Sequence, residues 1–280
     1  MAKKTILDFH EMRKAGQKIT FLTAYDYPTA LLEERAGIDM ILVGDSLGMT
    51  VLGYEGTIPV TMDEMIIHTR AVRRGAPNTF VIGDMPFLSY QTSIHDAVYN
   101  AGRFAKEAQV DAIKLEGGAR VKEQVRAITD AGILVMGHLG LTPQSMAQLG
   151  GFKAQGRSAE AALKVVEDAK ALEEAGAFAI LLEAVPPVVG KVVTERAGIP
   201  ILGIGAGPYV DGQLLIVSDL LGIFQAFTPK FVKKYANLAE VMTKAFEEYA
   251  ADVRGGRFPE PKHNYGMPPE EEERFLKAVG

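Results

Sequence analysis

The chain has no cysteine in its 280 residues. That removes thiol nucleophiles, thiolate metal sites and any disulfide framework, and it fits a reducing, cytoplasmic setting. No uninterrupted apolar run approaches the about 18 residues of a membrane span. Met1-Ala2-Lys3-Lys4 is basic but is succeeded by no apolar stretch of the secretory kind, so no signal peptide is expected. Positive charge is not in excess either: 30 basic residues face 35 acidic ones, a net charge of −5. Neither a nucleic acid nor a membrane surface is therefore expected as a partner. Apolar residues are plentiful at 48%, enough for one large core and against disorder as the general state.

What is present is a repeated unit. Short branched apolar runs at 19–23, 40–43, 80–82, 112–115, 133–137, 178–182, 201–204 and 214–217 read as strands. Helical patterns separate them. Pro28 opens one helix and Gly37 closes it. Thr61 with Glu64 makes a capping box for the next, and Ser93 caps another whose apolar positions run from Ile94 through Phe104 to Ala108. Further helices are predicted over 119–131, from Ser158 to Glu174, over 188–198, and from Pro229 through Phe246. Eight strands joined by helices predict a parallel (β/α)8 TIM barrel, a fold that commonly uses about 250 residues as one domain. A short amphipathic helix in 1–18 would cap the barrel of 19–250, and 251–280, rich in proline and charge, reads as a C-terminal tail. The stretch 139–157 is long and loop-like, and such loops are usually functional.

Five strands end in an ionisable group: Asp45 after Ile41-Leu42-Val43-Gly44, Asp84, Glu116, His138 and Glu183. In a barrel these ends converge on one mouth. Asp45, Asp84 and Glu116 together would repel one another unless a cation held them, and hard divalent ions prefer oxygen ligands. Each acid taken singly could instead cap a helix or close a turn. Lys114 and Glu116 share a face of their strand and suit an anionic substrate beside a metal ligand, or a structural ion pair. Glu183 lies between Leu181-Leu182 and Ala184-Val185-Pro186-Pro187, where desolvation would raise its pKa toward that of a useful base. His138 fits a general base, a metal ligand or a hydrogen-bond donor. The glycines of Gly203-Ile204-Gly205-Ala206-Gly207 lead into Pro208, so a dinucleotide loop is disfavoured; they are expected to let the backbone approach a ligand at the mouth or to relieve crowding there. The glycine-rich segment 47–60 could close over the site.

Several stretches together carry a family resemblance. They are Thr23-Ala24-Tyr25-Asp26; Val43-Gly44-Asp45-Ser46-Leu47-Gly48-Met49; Asp84-Met85-Pro86-Phe87; Lys114-Leu115-Glu116-Gly117-Gly118; Gly137-His138-Leu139-Gly140-Leu141-Thr142-Pro143-Gln144; and Ile204-Gly205-Ala206-Gly207 with Asp211-Gly212-Gln213. On these the chain resembles the ketopantoate hydroxymethyltransferase (3-methyl-2-oxobutanoate hydroxymethyltransferase) family, from about Lys4 to Tyr235. The resemblance implies a TIM-barrel transferase of pantothenate biosynthesis. It would use Mg2+ to move a hydroxymethyl, one-carbon unit from 5,10-methylenetetrahydrofolate to α-ketoisovalerate. Asp45, Asp84 and Glu116 match the family's metal-site residues; Asp45, Ser46, Asp84 and Lys114 match positions contacting the keto acid; Glu183 matches the proton acceptor. A homodecamer is implied too; the C-terminal helix and tail offer Phe231, Tyr235 and Phe258 as contacts for it, and the cytoplasm is the compartment expected from the composition.

Two rivals are set beside it. A lyase or mutase of the phosphoenolpyruvate mutase and isocitrate lyase type would share the barrel, Mg2+ and an Asp-Ser pair, but typically moves protons with a loop cysteine or another acid. A barrel that only binds a keto acid would have no use for both Lys114 and Glu183.

Overall fold

The chain is described by a computed structural model covering residues 3–151 and 153–280. Eight parallel strands close on themselves in sequence order. They are β1 (Ile19–Thr23), β2 (Met40–Val43), β3 (Phe80–Asp84), β4 (Ala112–Glu116), β5 (Leu134–Gly140), β6 (Ala179–Glu183), β7 (Ile201–Ile204) and β8 (Gly212–Leu215), with β8 pairing β1. This is the predicted (β/α)8 TIM barrel. Alternation along each strand sorts its side chains, because successive residues point to opposite faces. Phe21, Met40, Leu42, Ile82, Met136, Leu181 and Leu202 fill the barrel, whereas Ile41, Val43, Val81, Ile113 and Ile180 face the helical layer.

Helix α1 (Ile6–Lys14) plugs the end of the barrel where the strands begin. Its Phe9 is fully buried and meets Phe80 edge-on at 5.2 Å, and Phe80 in turn meets Phe178 at 5.7 Å. Around the outside run α2 (Tyr27–Ala36), the single-turn α3 (Leu47–Thr50), α4 (Met62–Gly75), α5 (Ile94–Arg103), α6 (Lys122–Asp130), the short α7 (Met146–Leu149), α8 (Ala159–Glu174), α9 (Pro187–Arg196) and α10 (Val217–Leu220). The capping signals act where they stand: Thr61 and Glu64 form a capping box, and Ser93 and Ser158 accept the amides of Asp96 and Ala161. Two helices lie beyond the barrel in sequence, α11 (Leu238–Arg254) and α12 (Pro269–Val279).

Three expectations differ from the observed chain path. Strand β8 begins at Gly212, two residues before the predicted start, because pairing with Ile19–Leu22 of β1 recruits Gly212 and Gln213 and leaves only the Gln213 side chain exposed. Pro229 does not open the last helix. Residues 229–237 are irregular and return to the barrel through Tyr235 N–H to Leu220 O (2.8 Å) and Leu238 N–H to Leu221 O (2.9 Å). Phe231 consequently packs on the barrel core and is no free contact residue, while Tyr235 and Phe258 are exposed. The segment after Gly255 is not wholly irregular, since α12 closes the chain. Among the described residues no helix is long and apolar enough to cross a membrane.

Candidate active site

Strand register assembles the floor of the mouth. Asp84 of β3 lies beside Lys114 of β4, and Glu116 beside His138 of β5. Asp45 comes after β2 and Gly44, and its backbone N–H donates to Asp84 Oδ2 at 3.0 Å. A Cβ on Gly44 would stand 2.8 Å from Ser46 Oγ, so only glycine lets this turn close so tightly. The Ser46 hydroxyl is held by the buried Tyr25 phenol, 2.8 Å away. Burial above all pushes that phenol up to about 12, so it stays protonated as a partner for Ser46. Every site residue expected from the sequence, Glu183 and His138 included, lines one cavity of about 750 Å³.

The floor is crowded with charge. Lys114 Nζ is 2.7 Å from Asp84 Oδ1, 3.9 Å from Glu116 Oε1 and 3.4 Å from His138 Nδ1. Asp45, Asp84, Lys114, Glu116 and His138 are each at most 4% exposed. Burial is the largest influence on Asp45 and raises its pKa well above the carboxylate range, and the charges of Asp84 and Glu116 push it further. Burial raises Asp84 as well, with Lys114 opposing and Glu116 reinforcing. Burial also works against Lys114, but Asp84, Glu116 and Asp45 outweigh it and hold the ammonium charged. Glu116 feels the same desolvation, yet its hydrogen bond to His138 and the charges of His138 and Lys114 hold it below the usual range.

His138 joins the floor to the rim. Its Nδ1 is 3.3 Å from Glu116 Oε1, and its Nε2 is 3.3 Å from Glu183 Oε2. Burial and Lys114 disfavour the imidazolium; hydrogen bonds to Glu116 and Glu183 overcome both and bring it up to about 9. Glu183 therefore does not sit among apolar groups alone, as its sequence neighbours suggested, and its side chain keeps 17% of its exposure. The chain turns sharply just after it. Ala184 takes a φ of 47°, a region that costs a residue with a Cβ roughly 1–2 kcal/mol, and its N–H is anchored on Ile204 O.

Sequence reasoning did not single out two residues that tie the floor together. Gln144 donates from Nε2 to Asp45 Oδ2 and to Met85 O, both at 2.9 Å, and from its backbone to Glu116 Oε2 at 3.0 Å. The Tyr90 hydroxyl accepts from Glu116 N–H at 3.0 Å and reaches Gln144 Oε1 at 2.8 Å. Asp219, which also lines the cavity, was missed as well; burial pushes it up to about 6, with Lys234 opposing. The apolar run before Asp219 was the available signal, being the same strand-then-acid pattern that marked Asp45 and Asp84. The glycines of 203–207 relieve crowding by the chain's own side chains: a Cβ on Gly205 would fall 2.6 Å from the Phe231 ring, and one on Gly207 2.6 Å from Pro187. Segment 47–60 is folded down, with Leu47 fully buried and Tyr54 bonded to Glu64 at 2.7 Å, and contributes Met49, Thr50 and Thr57 to the cavity wall.

The donor set suits a hard divalent cation. It offers oxygens from several acids, two of them pushed toward protonation chiefly by burial, and the buried Asp84 Oδ1 has only the Lys114 ammonium as its partner. Lys114 also faces Glu116, so a single ammonium serves three acids, with His138 as a further partner of Glu116. Among the described residues no group of three acidic, histidine or cysteine side chains stands close enough together to hold a metal ion by itself. Mg2+ commonly uses one or two direct carboxylates and several waters, so an open arrangement is compatible with it.

A family model described as ketopantoate hydroxymethyltransferase matches residues 3–261. A 3-methyl-2-oxobutanoate hydroxymethyltransferase of Alkaliphilus metalliredigens is 63% identical over 271 residues, 97% of this chain and 96% of that protein. The protein of the same name from Moorella thermoacetica is 58% identical, over 94% of this chain and 98% of its own. Among solved structures, phosphonopyruvate hydrolase in complex with oxalate and Mg2+ superposes with a TM-score of 0.61 at 17% identity, covering 100% of this chain and 98% of that one. A 2,3-dimethylmalate lyase gives 0.60 at 18%, covering 100% and 93%. These distant structures share the barrel.

Proposed function

Because the chain belongs to the ketopantoate hydroxymethyltransferase family, we propose that it transfers a hydroxymethyl group to 3-methyl-2-oxobutanoate, giving ketopantoate for pantothenate and coenzyme A synthesis. The donor in this reading is 5,10-methylenetetrahydrofolate, the metal is Mg2+ and the compartment is the cytoplasm. The observation that carries it is the buried floor of Asp45, Asp84, Lys114 and Glu116 with the Glu183 carboxylate lining the same cavity and tied to that floor through His138. The lyase rival shares the fold, but its solved representatives stand at 17–18% identity, against 63% for the transferase relative.

Each residue then has a task. Asp45, Asp84 and Glu116 would hold the metal, directly or through water. When bound, the metal supplies a positive charge that polarises the substrate carbonyl and acidifies the adjoining carbon. Lys114 meets the anionic end of the keto acid, already charged and held by Asp84 at 2.7 Å. The Ser46 hydroxyl, set by Tyr25, offers a further hydrogen bond. Glu183 accepts the proton from C3, a step for which a positioned base is worth about 10²–10⁴ in rate. His138 keeps the Glu183 carboxylate in place and couples it to Glu116. The carbon so activated forms a bond to the methylene carbon of the donor, and both bonds from that carbon to the folate nitrogens break. One water supplies the new hydroxyl group, and tetrahydrofolate leaves carrying the protons its nitrogens need.

The working form in this reading is a large homo-oligomer, a decamer by family resemblance. Support comes from α11, which has no buried residue and exposes Val241, Phe246 and Tyr249. A monomer mass by light scattering at micromolar concentration would contradict it. The reaction itself is tested by mixing the protein with α-ketoisovalerate, methylenetetrahydrofolate and Mg2+ and identifying the product. Ketopantoate supports the reading; cleavage of a carbon–carbon bond without folate would favour the lyase.

A further inference from the structure

Among the described residues five acids line the cavity, Asp45, Asp84, Glu116, Glu183 and Asp219. Four of them have tasks in the proposed reaction, and each of those four has a partner. Asp45 is held by Gln144, Asp84 by Lys114, Glu116 by His138 and Gln144, and Glu183 by His138. Asp219 is the exception. It is only 6% exposed, yet among the described residues its carboxylate accepts no hydrogen bond and forms no ion pair. It therefore caps no helix and closes no turn. Its oxygens are not sealed in protein either, so solvent reaches them. A buried, unpaired carboxyl is costly to keep ionised, and burial pushes this one up to about 6, with Lys234 opposing.

The backbone around Asp219 is fixed. It belongs to α10, the single turn that comes after β8. Val217 N–H donates to Thr23 Oγ1 at 3.0 Å, which ties this turn to the end of β1. Ile223 N–H donates to Ser218 O and Tyr235 N–H to Leu220 O, both at 2.8 Å, so the turn is held from its far side as well. The charge of Asp219 is felt by the buried Tyr25 phenol, the group that holds Ser46. Asp219 thus stands on the β8 and β1 side of the mouth. Glu183 ends β6, and β7 lies between the two sectors. One cavity of about 750 Å³ is therefore faced by two carboxylates from different sides, one restrained by His138 and one unpaired.

The transfer has two protons to deliver. As the donor becomes tetrahydrofolate, two bonds from nitrogen to the methylene carbon are replaced by two N–H bonds. One proton is the one that Glu183 takes from C3, and the other comes from the water that supplies the hydroxyl group. His138 has both nitrogens engaged by Glu116 and Glu183, and Lys114 is held by Asp84, so the floor offers no free carrier for the second proton. Resting on the transferase reading, we propose that Asp219 is that carrier. Its carboxyl protonates the first nitrogen to leave, which departs with the electron pair of its bond to carbon. The resulting carboxylate then takes a proton from the water that bonds to the methylene carbon, and the proton from C3 goes to the second nitrogen. One C–H, one O–H and two C–N bonds break, while one C–C, one C–O and two N–H bonds form. Asp219 ends protonated, as it began. The methylene carbon must reach C3 inside this cavity, so the nitrogens bonded to it enter the space that Asp219 lines. A carboxyl that titrates close to neutrality is suited to giving a proton and taking one back.

Asp219→Asn keeps the size of the side chain and removes its proton. Three measurements on the full chain with Mg2+ compare it with the wild type. The first is deuterium exchange at C3 of α-ketoisovalerate without folate, read by NMR. The second is tetrahydrofolate affinity by calorimetry with α-ketoisovalerate present. The third is the single-turnover rate of ketopantoate formation at saturating 5,10-methylenetetrahydrofolate. Exchange and tetrahydrofolate affinity should match the wild type, while ketopantoate formation falls by about 10²–10⁴. Retained exchange also shows that the variant is folded with its floor intact. Ketopantoate formation by the variant at close to the wild-type rate would overturn the proposal and leave the transferase reading standing. Exchange that falls in step with transfer would overturn it too, by making Asp219 a support of the floor. So would a loss of tetrahydrofolate affinity as large as the loss of rate, which would make it a binding group. A wild type that forms no ketopantoate removes the transferase reading, and this assignment with it.

Discussion

The imidazole of His138 meets the carboxylate of Glu183 at 3.3 Å, Nε2 to Oε2. Its other nitrogen is equally close to Glu116, so the proposed base and the acids of the floor belong to one connected network. A carboxylate on the rim of a cavity can turn freely; this one is restrained by a histidine that is itself only 2% exposed. A base held in one orientation relative to a bound keto acid is what proton transfer needs, since misplacement by about 1 Å can cost 10²-fold.

Asp84→Ala removes the nearest partner of Lys114 and leaves a buried ammonium, a change that typically costs about 3–5 kcal/mol. Mg2+ affinity and keto-acid affinity should fall together, and the urea midpoint should drop. Calorimetry that finds both affinities intact would remove Asp84 from the site.

Gln144→Leu preserves much of the side-chain volume but withdraws hydrogen bonds from Asp45 and Tyr90. Outer partners of this kind are worth about 10–100-fold in metal affinity or activity. The variant should fold, bind Mg2+ more weakly and lose a comparable factor in kcat/KM. Unchanged Mg2+ affinity would show that the Asp45 carboxylate holds its position without Gln144.

Glu33 on α2 predicts a pH dependence away from the site. Both of its carboxylate oxygens are buried without a hydrogen-bond partner, and burial first, then Asp26, pushes it up to about 8. The folded state therefore binds more protons than the unfolded state between the ordinary glutamate range and pH 8. Stability contributed through this group falls as pH rises across that window. At pH 8.5 the wild type carries the full penalty, on the order of 1.4 kcal/mol per pKa unit. Glu33→Gln should thus be more stable than the wild type at pH 8.5 and gain little at pH 4. Urea unfolding at the two pH values reads this directly, and parallel stability curves for the two proteins would contradict it.

Much of the fold was legible because it rests on local signals. The capping box of Thr61 and Glu64, the caps at Ser93 and Ser158, and the branched runs of the first seven strands all act where they stand in the sequence. Strand β8 was displaced because Gly212 and Gln213 have weak strand propensity, and pairing with β1 overrides it. Pro229 looked like a first helical residue, but the path of the chain beyond it is decided at long range by Phe231 closing on Gly205. The site shows the same division. Acids at strand ends could be read one by one, whereas Gln144 matters only because folding brings it to Asp45, 99 residues away. The Glu183–His138 contact likewise exists only once β5 and β6 are side by side.

The central claim is that Glu183 takes the proton from C3 and that this step is separable from carbon transfer. It is tested by proton NMR of α-ketoisovalerate in heavy water with the protein and Mg2+ and no folate. The wild type should exchange the C3 proton for deuterium. Glu183→Gln keeps the shape but cannot accept a proton, so exchange should fall by about 10²–10⁴ while Mg2+ and keto-acid binding persist. Exchange by the glutamine variant at close to the wild-type rate would place the base elsewhere and contradict the account.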